Sequence, residues 1–183
     1  IFQKTKYIYI QHSPLGLNQI YTDNAFCNFD IVQVINIFQE NNLKEINKIK
    51  KKKIRLWRSK YLFFEINNKY QKFKISKKNR ILIAPTWGTS FFDDKIHILI
   101  KKNIDLSKNE IFIRPHLMSI LKRNITNKEL INENFNISNE KLNFNEFDFL
   151  ITDWSGIYIE FAKINKIKSI LIQNNQKILN QNY

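Results

Sequence analysis

The stretch Leu150-Ile151-Thr152-Asp153-Trp154-Ser155-Gly156-Ile157, running on to Glu160, sets an apolar strand directly against a Ser-Gly helix start. Ser155 can cap that helix, and Gly156 lets a ligand approach its backbone. The N–H groups of the first turn, with the positive end of the helix dipole, make an anion site. Asp153 closes the strand, and Glu160 lies about one turn into the helix, where a carboxylate can accept from a ribose diol. Ile157, Phe161 and Ile164 recur at helical spacing and are expected to face a sheet. In an open α/β sheet, ligands bind at the carboxyl ends of the strands. The same residues also describe an ordinary capped helix, and the turn alone leaves both readings open.

Working outward, short apolar runs alternate with longer amphipathic ones. Strands are expected at 6–10, 30–34, 80–84, 110–114, 147–152 and 169–172, several of them apolar on both faces, as buried parallel strands are. Helices are expected at 38–52, 59–72, 92–103, 118–132 and 155–165. The alternation predicts βαβ units, parallel sheets and an α/β class. The basic run Lys48–Lys53 and the polar stretch 74–79 read as boundaries, which divides the chain into 1–75 and 76–183.

Three further loops follow expected strands. Ile113-Arg114-Pro115-His116 delivers a guanidinium and an imidazole together; the Arg fork matches phosphate oxygens, and His adds a hydrogen bond or a proton. Ala84-Pro85-Thr86-Trp87-Gly88-Thr89 offers hydroxyls and backbone for a second phosphate or an acceptor, although its Trp also suits plain packing. Gln11-His12-Ser13-Pro14-Leu15-Gly16 places His12 at a strand end, where an imidazole can take a proton from an attacking hydroxyl. A salt-bridged Arg114, a solvated His116 and a loop-bonding His12 are the plain structural alternatives. His97, among Ile96, Ile98, Leu99 and Ile100, reads as a packing or surface residue.

Composition bounds the partners. Hydrophobic residues make up 43% and aromatics 14%, which places the chain among globular rather than disordered sequences. The formal charge of +14 and pI near 9.8 suit nucleic acid, an anionic membrane face or a phosphate-rich substrate. The cations are dispersed, however, and no RNP-like pattern, zinc spacing or other nucleic-acid module accompanies them. Cys27 is single, so no internal disulfide can form, and no Cys-based metal cluster is expected. No apolar run reaches the ~18–20 residues needed to cross a bilayer, so membrane contact is expected to be peripheral. The apolar start and polar end of the chain read as those of a fragment.

Taken in order, these motifs resemble the CDP-glycerol glycerophosphotransferase family of teichoic-acid and capsule polymerases. Tyr7 to Asp30 is similar to that family's histidine loop: strand, His-Ser, a Tyr, Ala-Phe, and a closing aromatic-Asp. Pro85-Thr86-Trp87-Gly88 resembles its Pro-[Ser/Thr]-Trp turn. Arg114-Pro115-His116 resembles its second histidine motif, and Thr152-Asp153-Trp154-Ser155-Gly156 its phosphate-binding turn. Lys60-Tyr61 with Glu65 stands where the family has a Gly-Tyr-Pro-like turn and an acidic residue, and Lys168 where a small residue or proline is usual.

The resemblance implies a GT-B architecture, in which two Rossmann-like lobes face across a cleft: the end of the acceptor-side lobe before residue 76 and most of the donor lobe after it. It implies a cytoplasmic enzyme, peripheral at the inner face of the membrane. That enzyme would take glycerol phosphate from CDP-glycerol to a lipid-linked or polymeric acceptor of the cell envelope and release CMP. It further implies donor pyrophosphate at Ser155 and Gly156, near Arg114 and a catalytic His116, and ribose near Glu160, with Thr86 and Asp153 among the substrate-binding residues. His12 is the implied base, and no cofactor or metal is implied. A nucleotide-sugar transferase or epimerase of the same architecture is the alternative. A basic nucleic-acid-binding domain is a further one.

Overall fold

The computed structural model describes residues 5–22, 24–51, 53–67, 77–87, 90–122, 125–138, 143–166 and 169–172. They fall into two compact units, one within Ile1–Ile66 and one within Asn67–Lys177. Of the polar stretch expected to link them, residues 74–76 lie outside the described residues, and Asn79 already begins a strand.

The first unit holds strands β1 (Ile8–Tyr9), β2 (Ile31–Val34) and β3 (Arg55–Arg58), all parallel, in the order β1-β2-β3. Helices α1 (Leu17–Ile20), α2 (Ile37–Ile49) and α3 (Leu62–Asn67) connect or follow them. Asn36 starts α2 by accepting from the Gln39 N–H at 2.8 Å, and the helix turns Leu43 and Ile46 onto Val32, Val34 and Leu17. Leu17, Val32 and Leu43 are fully buried, each a contribution of about 1.5–3 kcal/mol. Glu40, also buried, is clamped by Arg58 at 2.6 and 2.7 Å and by Lys44 at 2.7 Å, which ties α2 to the end of β3. The Arg58 bonds, with Lys44, hold the Glu40 carboxyl down at about 2.

The second unit is a five-stranded parallel sheet. Its strands are β4 (Asn79–Ile83), β5 (Asn109–Ile113), β6 (Asn136–Ile137), β7 (Phe149–Thr152) and β8 (Ile170–Leu171), in the order β6-β5-β4-β7-β8. The strand order steps outward on both sides of β4, as in an open doubly wound sheet. Helices α4 (Ile96–Lys102), α5 (Leu117–Leu121), α6 (Asn127–Asn132) and α7 (Ile157–Asn165) lie between the strands. Ile83, Ile113, Phe91 and Leu130 are the fully buried centre of one core cluster. At the amino end of β4, Arg80 lies 4.4 Å from the Phe112 ring and 5.3 Å from that of Phe147, with Glu146 at 3.1 Å.

The α/β class with parallel sheets is as read from the alternation; several elements differ. The helix expected over 118–132 is two helices. Thr126 begins the second with a reciprocal capping box, accepting from the Glu129 N–H while its own N–H donates to the Glu129 carboxylate. β3 was not anticipated, because Arg55-Leu56-Trp57-Arg58 is an edge strand with two charged residues. α7 starts at Ile157 with Gly156 as its cap residue, and no side chain caps it, so Ser155 does not take the capping role expected of it.

Candidate functional site

Parallel pairing sets Ile113 beside Ile83 and Ile83 beside Ile151, so β5, β4 and β7 end side by side. The three expected loops therefore leave the sheet at one carboxyl edge. The backbone ladder continues past the strands, with Arg114 N–H donating to Ile83 O at 2.8 Å and Ala84 N–H to Ile151 O at 3.0 Å. Thr152 Oγ1 donates to Ala84 O at 2.6 Å.

Asp153 is only 1% exposed, and its Oδ1 accepts the Thr86 N–H at 2.7 Å. This carboxylate staples the turn after β4 to the turn after β7. Thr86 is half-buried and its main chain is held from below by that bond. Beyond Asp153 the chain bends tightly, with Ser155 N–H on Asp153 O at 2.8 Å. The N–H groups of Tyr158, Ile159 and Glu160 already turn back onto Ser155 and Gly156 carbonyls, at 3.1–3.3 Å. Among the described residues, the N–H groups of Gly156 and Ile157 have no such partner. The N–H groups left to meet an anion are therefore fewer than the whole first turn would offer.

Arg114 is half-buried at the end of β5. Burial pushes its guanidinium below the usual arginine value, while the charge of Glu160 acts in the opposite direction. Glu160, read as a ribose ligand, thus shares its electrostatic environment with Arg114. Pro115 is buried and His116 exposed. His116 caps α5, its Nδ1 accepting the Met118 N–H at 3.1 Å. Its ring lies 6.3 Å from that of Trp87, and Lys122 Nζ stands 4.6 Å from the Trp87 ring. Lys122 was not singled out from the sequence; it enters because α5 is short and the residue that follows it returns to the Trp87 turn.

His12 belongs to the first unit, just past β1, and its ring is exposed. Its Nδ1 lies 2.9 Å from the Tyr9 hydroxyl and 3.2 Å from that of Tyr21, and these two hydroxyls bond each other. Burial pushes both phenols above their ordinary value, so both are neutral hydroxyls. Tyr21 Oη donates to Gln11 Oε1 at 3.3 Å, and Tyr61 Oη donates to His12 O at 2.9 Å. The loop that carries His12 is anchored to α2. Gln39 Nε2 donates to Ser13 O and Leu15 O at 3.0 and 2.8 Å, Asn36 Nδ2 to Pro14 O at 2.8 Å, and Leu17 N–H to Asn42 Oδ1 at 3.0 Å.

His97 is 2% exposed and packs against Phe92 and Phe135, as a packing residue does, with Nε2 at 3.0 Å from Glu133 Oε2. Among the described residues, no group of three or more His, Cys, Asp and Glu could hold a metal ion. No family of known proteins, no curated protein and no solved structure matches the chain.

Proposed function

We propose that this chain carries the chemistry of a CDP-glycerol glycerophosphotransferase, moving glycerol phosphate to a hydroxyl of a cell-surface polymer or its lipid-linked precursor. The observation that supports this reading most is the shared carboxyl edge of β5, β4 and β7. It gathers Arg114 and His116, Thr86, and the Asp153–Gly156 turn at the end of one sheet.

In this reading the two units are parts of the two Rossmann-like lobes of a GT-B enzyme, and the second takes the donor. Arg114 and the N–H groups of Gly156 and Ile157 face pyrophosphate oxygens, and Ser155 adds a hydroxyl. Asp153 is buried and serves by holding Thr86 and the turn in place. Glu160 balances Arg114 and remains the candidate for the ribose. The acceptor oxygen attacks the β-phosphorus; the bond to the CMP oxygen breaks, and CMP leaves with that electron pair. His12 takes the acceptor proton, and His116 donates a hydrogen bond to the phosphoryl oxygens. Such catalysis rests on positioning and on donors aimed at developing charge.

The charge of +14 suits a peripheral position on an anionic membrane face at the cytoplasmic side. Among the described residues no helix is long and apolar enough to cross a membrane. The test is CMP release from CDP-glycerol in the presence of a short glycerol-phosphate acceptor, against a panel of UDP-sugars. Release from CDP-glycerol alone is expected. Turnover of the UDP-sugars instead would replace this reading with a nucleotide-sugar transferase or epimerase.

A further inference from the structure

The donors and acceptors around His12 can be counted, starting from the groups whose roles are unambiguous. Gln33 Nε2 donates to Lys60 O at 3.2 Å, which turns Gln33 Oε1 toward Gln11, where it accepts the Gln11 N–H at 2.9 Å. Gln11 Nε2 donates to Gln33 O, again at 2.9 Å, because a carbonyl only accepts. The amide of Gln11 is therefore fixed with Oε1 toward Tyr21. That oxygen belongs to a residue only 4% exposed, and it takes the Tyr21 proton.

A neutral phenol has one proton to give. With the Tyr21 proton committed to Gln11, the close contact between the two hydroxyls needs the Tyr9 proton, so Tyr9 donates to Tyr21. Tyr9 then has none left for the imidazole. The 2.9 Å contact between Tyr9 Oη and His12 Nδ1 requires a proton on Nδ1. The longer contact to Tyr21 Oη, at 3.2 Å, is satisfied by the same Nδ1–H.

We infer that Gln11, Tyr21 and Tyr9 form a directional hydrogen-bond relay that holds neutral His12 in its Nδ1–H tautomer and leaves the Nε2 lone pair exposed. Gln33 anchors the far end of the relay. Among the described residues Nε2 has no hydrogen-bond partner, and the ring is exposed, so this lone pair faces outward. Gln11, Tyr9 and Tyr21 are positioning residues: they select which nitrogen can accept. That the freed nitrogen takes an acceptor proton rests on the proposed function; the tautomer does not.

The test is a long-range proton–nitrogen correlation spectrum of the 183-residue chain with labelled histidine, recorded above pH 8. His12→Gln identifies the resonances. The expected pattern has Nδ1 protonated and Nε2 bare; a wild-type His12 with Nε2 protonated overturns the relay. Tyr21→Phe is the sharper probe, because it spares the shorter contact to the ring. With Tyr21 lost as acceptor, Tyr9 turns its proton to Nδ1, and the ring switches to Nε2–H. Gln11→Leu should do the same from one step further away, and if burial makes that variant fail to fold, Tyr21→Phe still decides. Tyr61→Phe removes the hydroxyl that donates to the His12 carbonyl but keeps Gln11, Tyr21 and Tyr9 in place, so it should leave the tautomer unchanged. A tautomer unmoved in Tyr21→Phe, or moved equally in Tyr61→Phe, also overturns the relay. In turnover with CDP-glycerol, the switched variants should lose roughly 10²–10⁴-fold in kcat at unchanged donor Kd. A bare Nε2 in a protein that ignores CDP-glycerol would leave the relay standing and remove the proposed function.

Discussion

His12 and His116 each stand just beyond the carboxyl end of a parallel strand, yet their surroundings use Nδ1 in opposite senses. In His116 a backbone N–H points at Nδ1, so that nitrogen must accept, and the neutral ring carries its proton on Nε2. In His12 the relay from Gln11 makes Nδ1 the donor and bares Nε2. One neutral ring carries its hydrogen-bond donor on Nε2, and the other carries its lone pair there, as the proposed base requires. A residue type at a strand end is thus only half of a chemical assignment; the group behind the ring supplies the other half. His97 is the useful third case, an imidazole whose two nitrogens both face the interior.

The largest effect should come from His12, the proposed base. His12→Ala is expected to lower kcat by roughly 10²–10⁴-fold while leaving the equilibrium Kd for CDP-glycerol nearly unchanged. Both quantities are measured on one preparation with a soluble acceptor. Loss of donor affinity in proportion to rate would erase the contrast, because His12 would then be a binding residue like those of the second unit.

How much of this was legible beforehand can be traced residue by residue. The strands β4, β5 and β7 announced themselves by apolar runs, and a parallel sheet then brings Arg114, Thr86 and Asp153 to one edge. β3 was hidden because its Arg and Trp residues are those of an exposed edge, and it follows a lysine run that read as a boundary. The break before Thr126 was readable as Thr126-x-x-Glu129, but the apolar periodicity on either side masked it. The roles of Asp153 and Glu160 were not legible. Whether a carboxylate meets a ligand, a backbone N–H or an arginine depends on loop geometry that spacing does not encode. The His12 relay was equally silent, since Tyr9, Gln11, Tyr21 and Gln33 share no period. A glutamine in the centre of the apolar strand Ile31–Val34 was the one available signal, as a buried amide must find partners.

Arg114 should show the next largest effect. Its guanidinium is partly desolvated and feels the charge of Glu160, unlike Arg80, which lies against the Phe112 and Phe147 rings and is paired with Glu146. Loss of a charge-assisted contact costs about 1.5–3 kcal/mol, so Arg114→Ala should weaken CDP-glycerol binding about ten- to a hundredfold. Its urea midpoint should stay near that of wild type. Calorimetry with an unchanged Kd would return Arg114 to a structural role and leave His116 without its partner.

His116 tests the donor side of the comparison more finely, because the ring both caps α5 and presents Nε2–H. Asn is among the best capping residues, so His116→Asn keeps an acceptor for the Met118 N–H while removing the outward donor. Stability is expected to stay within about 0.5 kcal/mol of wild type, whereas kcat/KM for CDP-glycerol falls about tenfold. If His116→Asn retains full activity, the cap is the whole function of His116, and the opposition between the two rings has no chemical consequence.

The smallest effect concerns stability alone and belongs to His97. Its Nε2–H donates to Glu133 at 3.0 Å, while Nδ1 is buried without a hydrogen-bond partner among the described residues. Protonating Nδ1 would place an N–H with no acceptor between the rings of Phe92 and Phe135. Burial accordingly pushes the His97 pKa down, and the charge of Glu133 offsets this only in part. The unfolded chain, with its histidine near 6.5, therefore binds the proton first as pH falls. Stability contributed by neutral His97 is complete above about 6.5 and declines below it, by at most ~1.4 kcal/mol for each pH unit. Glu40, held down at about 2, contributes above its ordinary carboxylate value and leaves this window clear. Urea midpoints at pH 7.5 and 5.5 should show the decline in wild type, and His97→Gln should flatten it. A wild-type midpoint that rises on acidification would mean that Glu133 wins over burial, and His97 would then be a charged partner rather than a neutral packing residue.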